Sequence, residues 1–463
     1  MRRLIKRVLL SNVVSFSHSF FNIFKSRVIW NSGVVEADSC AVTTLSNLDS
    51  KNLLQSATFV LAPSGYKSGV IYSQVPSNGN GDLTFTRGSA ATRTNESGVI
   101  ESVASGVQRL DYSLGGCPVA LYEPQRTNSI RNNTMVGAVA GTPGTDPTNW
   151  TFNTRPGLTK EIVGTGTEKG LPYVDVRYSG TPSSSAFFLI LFEGTNVIAA
   201  TSGQTWAYSF YYKKVSGTIP TNAIQAVEYN ASGVFLAQGG ITANLNTITT
   251  LTRISGTRTL NNASTAFTGV QIRIDVVSGT AYDWTMRFYA PQIELGAYTT
   301  TWIPTNGTSA TRNADSYTRD NIYTNGLISA SGGTWFVELK NNQSVPTDVA
   351  QAQQLGLGNN VVAAADNIWI GNSGSSINRV WKQVAGAISS LYILPSGIIK
   401  LAITWDGLNV KVYANGSLQI TSSFTPTALE TLRTIAVGTP FYIQQMALWN
   451  THLSEAQCIS LTS

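Results

Sequence analysis

Over much of this chain, hydrophobic and polar positions alternate with period two, in short runs separated by turn residues. The clearest run opens with GIIKLAITWDGLNVKVYANGSLQI, from Gly397 onward. Leu401, Ile403 and Trp405 alternate there with Ala402 and Thr404; Asp406-Gly407 turns, Val410, Val412 and Tyr413 follow, and Asn415-Gly416 turns again. Such dipeptides tolerate the positive φ of a tight hairpin, so the stretch predicts a β-meander with one buried and one wet face. Comparable runs at 173–178, 186–193, 205–213, 223–229, 251–260, 268–276 and 283–294 predict a second antiparallel sandwich, of jelly-roll type. The beginning of the chain differs. Ile5, Leu9, Val13, Phe16, Phe20 and Phe24 recur every three or four residues, which predicts one amphipathic helix.

Composition sharpens this picture. Charged residues make up only 12% of the 463, and Gly, Ser, Thr and Asn fill the gaps between apolar runs, as in turn-rich β-proteins. The net charge of +6 sits in the first 30 residues, on Arg2, Arg3, Lys6, Arg7, Lys25 and Arg27. Elsewhere 25 basic residues balance 25 acidic ones, so the body lacks the positive footprint of a nucleic-acid binder. Three cysteines, Cys40, Cys117 and Cys458, and two histidines, His18 and His452, show no metal-ligand spacing and suggest thiols without redox work. The basic apolar start invites comparison with a signal peptide, but Ser11, Asn12, Ser15, Ser17, His18 and Ser19 interrupt its apolar core. The same residues break up any transmembrane span. A docking helix, laid into a protein groove or on a membrane surface, fits better.

Two resemblances follow from particular residues. The series TWDG, VYANG and IQQMALWNTHLSEAQ, with a first strand at 335–339, resembles the end of a concanavalin A-like (laminin G-like) sandwich over 327–463. The segment GDLTFTR (81–87), ATR (91–93), GVIE (98–101), RLDY (109–112) and EPQRTN (123–128) resembles a module of phage and prophage appendage proteins. That likeness implies a virion setting and no chemistry of its own. The end of the middle region, FYAPQIELGAY and then WIPT, is similar to the exit strand of carbohydrate-binding-module-like sandwiches, where a ligand lies on a concave face or at loop ends. SAATR (89–93) is echoed by TSATR (308–312), as if both marked equivalent connectors.

Candidate chemistry is sparse. Glucanases of the concanavalin A-like fold carry Glu-x-Asp-x-(x)-Glu on one strand; here Glu338, Asp348, Asp366, Asp406, Glu430 and Glu455 do not form that pattern. No GxSxG, HExxH or P-loop occurs. Asn359-Asn360 with Asp366-Asn367 is the nearest approach to a lectin metal loop, and no metal or cofactor is expected. Trp369, Asn372, Asn378, Arg379 and Trp381 combine aromatic faces with amide and guanidinium donors, the mixture that holds a sugar. Trp150, Tyr212, Trp284 and Arg273 offer a second such set, unless the aromatics fill the core. Arg87, Arg93, Arg109 and Arg126, near Asp82, Glu101, Asp111 and Glu123, read as structural ion pairs that pin loops.

The resulting expectation is a mainly β protein in five segments. These are an N-terminal helical docking arm and tether (1–58, with a short helix near 47–55), a small β connector module (59–130), a carbohydrate-binding-module-like sandwich (131–304), a linker (305–326) and a concanavalin A-like sandwich (327–463). Arg2, Arg3, Lys6, Arg7, Leu9, Val13, Phe16, Phe20 and Phe24 would dock the arm onto other virion proteins, of capsid or tail. The expected function is that of a non-enzymatic virion-surface fibre or appendage component, a dimer or trimer, with host-surface or mucosal glycans as ligands. Neither nucleic-acid binding nor a membrane span is expected. A tail-associated polysaccharide depolymerase and a secreted bacterial adhesin are the alternatives.

Overall fold

A computed structural model describes residues 27–30, 33–36, 39–63, 65–67, 69–329, 332–341, 351–358, 366–373, 378–427, 429–434 and 441–463. The protein is mainly β, and its described strands pair antiparallel throughout. Its contacts divide it into two compact units. One takes residues from 1–97, 103–124 and 314–463, the other 98–102 and 125–313. The second unit is thus inserted in the sequence of the first at two places, a short one at 98–102 and a long one at 125–313, and the boundaries differ from the five expected segments.

The first unit is a sandwich of two sheets. Its eight-stranded sheet runs Ser417–Ser423, Asn409–Ala414, Gly397–Trp405, Gly333–Asn341, Phe441–Trp449, Val119–Tyr122 and Leu110–Asp111, with Phe59–Leu61 also on Phe441–Trp449. The nine-stranded sheet ends in Ser316–Arg319, Leu83–Thr86, Val70–Ile71 and Tyr66–Lys67. Strands read as a separate connector, and one read as linker, therefore complete the sheets of the C-terminal sandwich. Phe59, Leu83, Phe85, Tyr122 and Tyr317 share one core with Trp335, Leu401, Ile403 and Trp405. The connector strands are two to four residues long and too small to bury a face alone, so they find their partners at distant sequence positions.

The meander turns as expected. Asn415 and Gly416 both have positive φ, and Asp406 Oδ1 accepts from the backbone N–H groups of Leu408 and Asn409 at 3.0 and 2.7 Å. Its supposed wet face, however, is covered. Phe336, Ala402, Tyr413, Ala447 and Trp449 point away from the inter-sheet core and pack with Leu48, Leu53, Ala57, Leu453, Cys458 and Leu461. Helix Ser39–Ser50, its following turn and helix Glu455–Thr462 supply that cover. Ser454 caps the second helix in a capping box with Gln457. Residues 39–58 are consequently part of the folded unit rather than a tether, and the helix lies earlier than 47–55. Cys117 is disulfide-bonded, against the expectation of thiols only. Cys458 is a free thiol that burial pushes up to about 12.

The second unit is also a two-sheet sandwich. Six strands form one sheet: Thr151–Phe152, Ala186–Leu191, Phe267–Val276, Asn222–Tyr229 and Phe235–Ile241 in order, with Ile198–Ala199 on Phe267–Val276. Five form the other, in the order Leu158–Glu168, Leu171–Gly180, Tyr282–Leu295, Thr205–Gly217 and Thr252–Thr259. All seven expected strands appear. The strands not anticipated include Leu158–Glu168 and Phe235–Ile241, both at sheet edges, where a half-covered strand carries little hydrophobic alternation. Arg126–Asn128 pairs with Ala310–Arg312 where the long insertion begins and ends, and the buried Asn128 side chain donates to the carbonyl of Ile303 at 3.1 Å.

Candidate functional site

Of the five sugar-binding candidates of the C-terminal sandwich, Trp369, Asn378 and Trp381 are buried. Trp369 and Trp381 are paired neighbours on adjacent strands, and their rings stack at 6.1 Å and 14°. Ile368 and Ile370 face the inter-sheet core, so Trp369 lies on the other side of its sheet. It is nevertheless fully buried, and Trp381 is only 8% exposed. The Trp381 indole N–H donates to the Gly371 carbonyl at 2.9 Å. Asn378 is buried too, and its backbone carbonyl accepts from the Leu394 N–H. Arg379 reaches the surface, where its guanidinium donates to Ser390 Oγ at 3.1 Å. Asn372 pairs with Ala352 in the ladder; its side chain, and Asn359-Asn360, lie outside the described residues. Asp366 serves the fold: its carboxylate accepts from the N–H groups of Ala385 and Thr427, at 2.8 and 2.6 Å.

The appendage-like motif converges on a buried ion cluster. Arg87 donates to Asp315 at 2.9 Å, and Arg109 donates to Asp315 and, at 2.6 Å, to Glu123. Asp315 also accepts the Glu123 backbone N–H at 2.9 Å. All four side chains are sealed from solvent. Burial alone would lower the affinity of Arg109 for its proton, but Asp315 and Glu123 outweigh it and leave the pKa raised. The two guanidiniums and two carboxylates balance one another and are sealed from solvent, so the cluster is a structural device. The expectation of loop-pinning ion pairs holds for Arg87 and Arg109. Asp315, 206 residues beyond Arg109, is the member that spacing along the chain did not reveal.

In the middle sandwich, Trp150, Tyr212 and Trp284 belong to the hydrophobic core and cannot meet a ligand. Arg273 is the exception. Ile272 and Ile274 point into the core, and Arg273 points out of the six-stranded sheet. Its guanidinium is clamped by Asp275 at 2.7 Å and lies 4.2 Å from the ring centroid of Phe187. Phe187 is 41% exposed, because Phe188 and Ile190 take the inward positions of its strand. Arg155, from the loop before Leu158, lies 5.8 Å from the same ring and holds the Phe187 carbonyl through Nε at 2.6 Å. Along the same face, Gln271 donates to Gln225 at 2.8 Å and accepts from the Tyr229 hydroxyl at 3.0 Å, a ladder that stiffens the sheet beneath. Phe187 was not singled out in the sequence, which placed it only within the expected strand at 186–193.

The five-stranded sheet carries a different polar network. Glu168 accepts from the Tyr289 hydroxyl at 2.6 Å, from Arg287 at 2.8 Å and from Lys213 at 3.0 Å. The Tyr289 hydrogen bond foremost, with Lys213 and Arg287 against the opposing effect of burial, holds the Glu168 carboxyl down at about 2. A depressed folded-state pKa stabilises above the unfolded value of 4.5, and that contribution is lost as pH falls toward 2. The effect, discounted for partial exposure, is on the order of 2 kcal/mol. Thermal unfolding of this unit followed between pH 5 and 2 is expected to weaken steeply, and Glu168→Gln to flatten that slope. An unchanged slope in the variant would rule out this origin.

Among the described residues no group of three or more His, Cys, Asp or Glu is placed to hold a metal ion, and no helix is long and apolar enough to cross a membrane. The docking-arm residues Arg2, Arg3, Lys6, Arg7, Leu9, Val13, Phe16, Phe20 and Phe24 lie outside the described residues.

Neither a protein-family model nor a curated protein sequence matches this chain. Solved structures do match in part. Domain 4 of AbnA, an extracellular arabinanase from Geobacillus stearothermophilus in complex with arabinotriose, is 17% identical with a TM-score of 0.25, over 32% of this chain and 73% of that one. The CBM40 of Ruminococcus gnavus IT-sialidase, bound to α2,3-sialyllactose, is 16% identical with a TM-score of 0.23, over 29% and 84%. The β-glucanase of Bacillus licheniformis is 12% identical with a TM-score of 0.23, over 30% and 72%.

Proposed function

We propose that this is a non-enzymatic adhesion protein of a phage virion, a fibre or appendage component anchored by its N-terminal arm and binding host-surface glycans through the middle sandwich. The observation that carries the binding half is the exposed Phe187 ring beside Arg273 and Arg155. An apolar ring takes the C–H face of a sugar, and guanidinium groups donate to hydroxyl and carboxylate oxygens. Two guanidiniums and one carboxylate, Asp275, leave the patch net positive, so it favours sugars that bear a carboxylate. The virion half is supported by the motif resemblance and by the basic amphipathic start of the chain.

The test is a glycan array probed with the full chain, with a sugar-release assay on each hit. Binding to acidic glycans without release is expected, and Phe187→Ala should weaken it at least tenfold, equivalent to about 1.4 kcal/mol. Release of sugar would replace this reading with the depolymerase. A silent array would leave a structural spacer.

A further inference from the structure

The outer face of the five-stranded sheet holds a groove built by two β-bulges. In strand Leu158–Glu168 the register jumps between Ile162 and Gly164, which leaves Val163 as the extra residue. In strand Thr205–Gly217 it jumps between Lys214 and Ser216, which leaves Val215. These strands flank the central pair, Leu171–Gly180 and Tyr282–Leu295, one on each side. Three interstrand spacings therefore separate them, roughly 14 Å. Both valines are exposed, at 46% and 44%, and both line a cavity of about 460 Å³. A bulge re-aims a side chain at the expense of ladder hydrogen bonds, and here two of them turn an apolar group toward the same cavity.

The floor between the valines is polar and fixed. Arg177 grips Asp283 with two hydrogen bonds, of 2.8 and 2.7 Å, and donates to Glu161 at 3.2 Å. Asp175 is held the same way by Arg287, at 2.7 and 2.8 Å. Gly217, with φ of +72°, closes one side; a Cβ there would lie 2.1 Å from the Asp283 carbonyl oxygen, so the backbone approach requires glycine. Arg177 and Asp283 remain 41% and 56% exposed at their side chains, so donors and acceptors stay open to a ligand despite their pairing.

We propose that this groove binds a glycan chain of neutral or amino sugars, separately from the Phe187 patch. The inference rests on the adhesion reading above. The lining has three carboxylates, Glu161, Asp175 and Asp283, and with Arg287 counted beside Asp175 they face two guanidiniums, Arg177 and Arg287, which leaves one negative charge in excess. That balance disfavours an anionic sugar and suits hydroxyl and ammonium donors. Arg177 supplies the complementary donor to ring and hydroxyl oxygens, and the bulged valines contact the C–H faces on either side. Because the ion pairs pre-set the floor, little side-chain ordering remains to be done on binding.

The experiment measures affinity of the full chain for immobilised tetramers of glucosamine, N-acetylglucosamine and galacturonic acid, with Val215→Trp and Phe187→Ala variants. Val215 is exposed and unpaired, so tryptophan there fills the groove without entering the core. A glucosamine or N-acetylglucosamine tetramer is expected to bind, to lose at least tenfold in affinity with Val215→Trp, and to be unaffected by Phe187→Ala. Unchanged affinity in Val215→Trp, or its loss in Phe187→Ala, overturns the groove. Binding of galacturonate alone overturns the groove and leaves the adhesion reading intact. No binding to any of the three, with a silent glycan array, removes both.

Discussion

Asp315→Ala is expected to destabilise the C-terminal sandwich unit by about 3–5 kcal/mol, more than any surface charge in the molecule could. Asp315 bridges Arg87 and Arg109 and accepts the Glu123 N–H, all without solvent. Its removal takes the shared carboxylate from two buried guanidiniums, which then rely on neutral acceptors such as the Ala104 and Thr92 carbonyls and, for Arg109, on Glu123. Neither can recover hydration without opening the junction between strands Leu83–Thr86, Val119–Tyr122 and Ser316–Arg319. At 2–4 °C per kcal/mol for a unit of this size, the melting temperature should fall by roughly 10 °C. Urea unfolding followed by tryptophan fluorescence measures it. A loss below about 1 kcal/mol would mean that the cluster is not a closed electrostatic unit.

Leu53→Ala is expected to cost about 2–5 kcal/mol, the range for truncating a fully buried leucine. Leu53 has no exposed surface and packs beside Trp449, Tyr413, Phe336 and Cys458. Its carbonyl accepts the Trp449 indole N–H at 3.1 Å, so the segment is held by backbone as well as by packing. A residue in a solvated tether would tolerate the change at no measurable cost. Equal stability of variant and parent in the same urea titration would therefore return 39–58 to the role of tether.

These two positions mark where reading along the chain succeeds and where it stops. Strands such as Thr205–Gly217 and Gly397–Trp405 were legible because sequence alternation is a local property: larger apolar residues alternate with smaller or polar ones, and Asp406-Gly407 marks the end of the second. The paired arginines of the motif were legible as structural for the same local reason, since acids lie nearby. Their actual anion was not. Asp315 looked like one acid in a polar linker, and only closure of the nine-stranded sheet brings it to Arg87, 228 residues earlier.

The candidate sites divide in the same way. Composition located aromatic and guanidinium groups on strands, but alternation assigns a residue to one of two faces without saying what covers that face. Trp369 and Trp381 lie away from the core and are buried all the same, whereas Phe187, adjacent to a core phenylalanine, stands open beside Arg273. Val163 and Val215 matter only because two ladders slip by one residue, a shift that depends on the partner strand. Local alternation and turn chemistry were enough to define a mainly β chain with two antiparallel sandwiches. Which short strands join which sheet, which faces are covered and which side chains remain open depended on pairings across hundreds of residues, because exposure belongs to the assembled surface and not to any stretch of it.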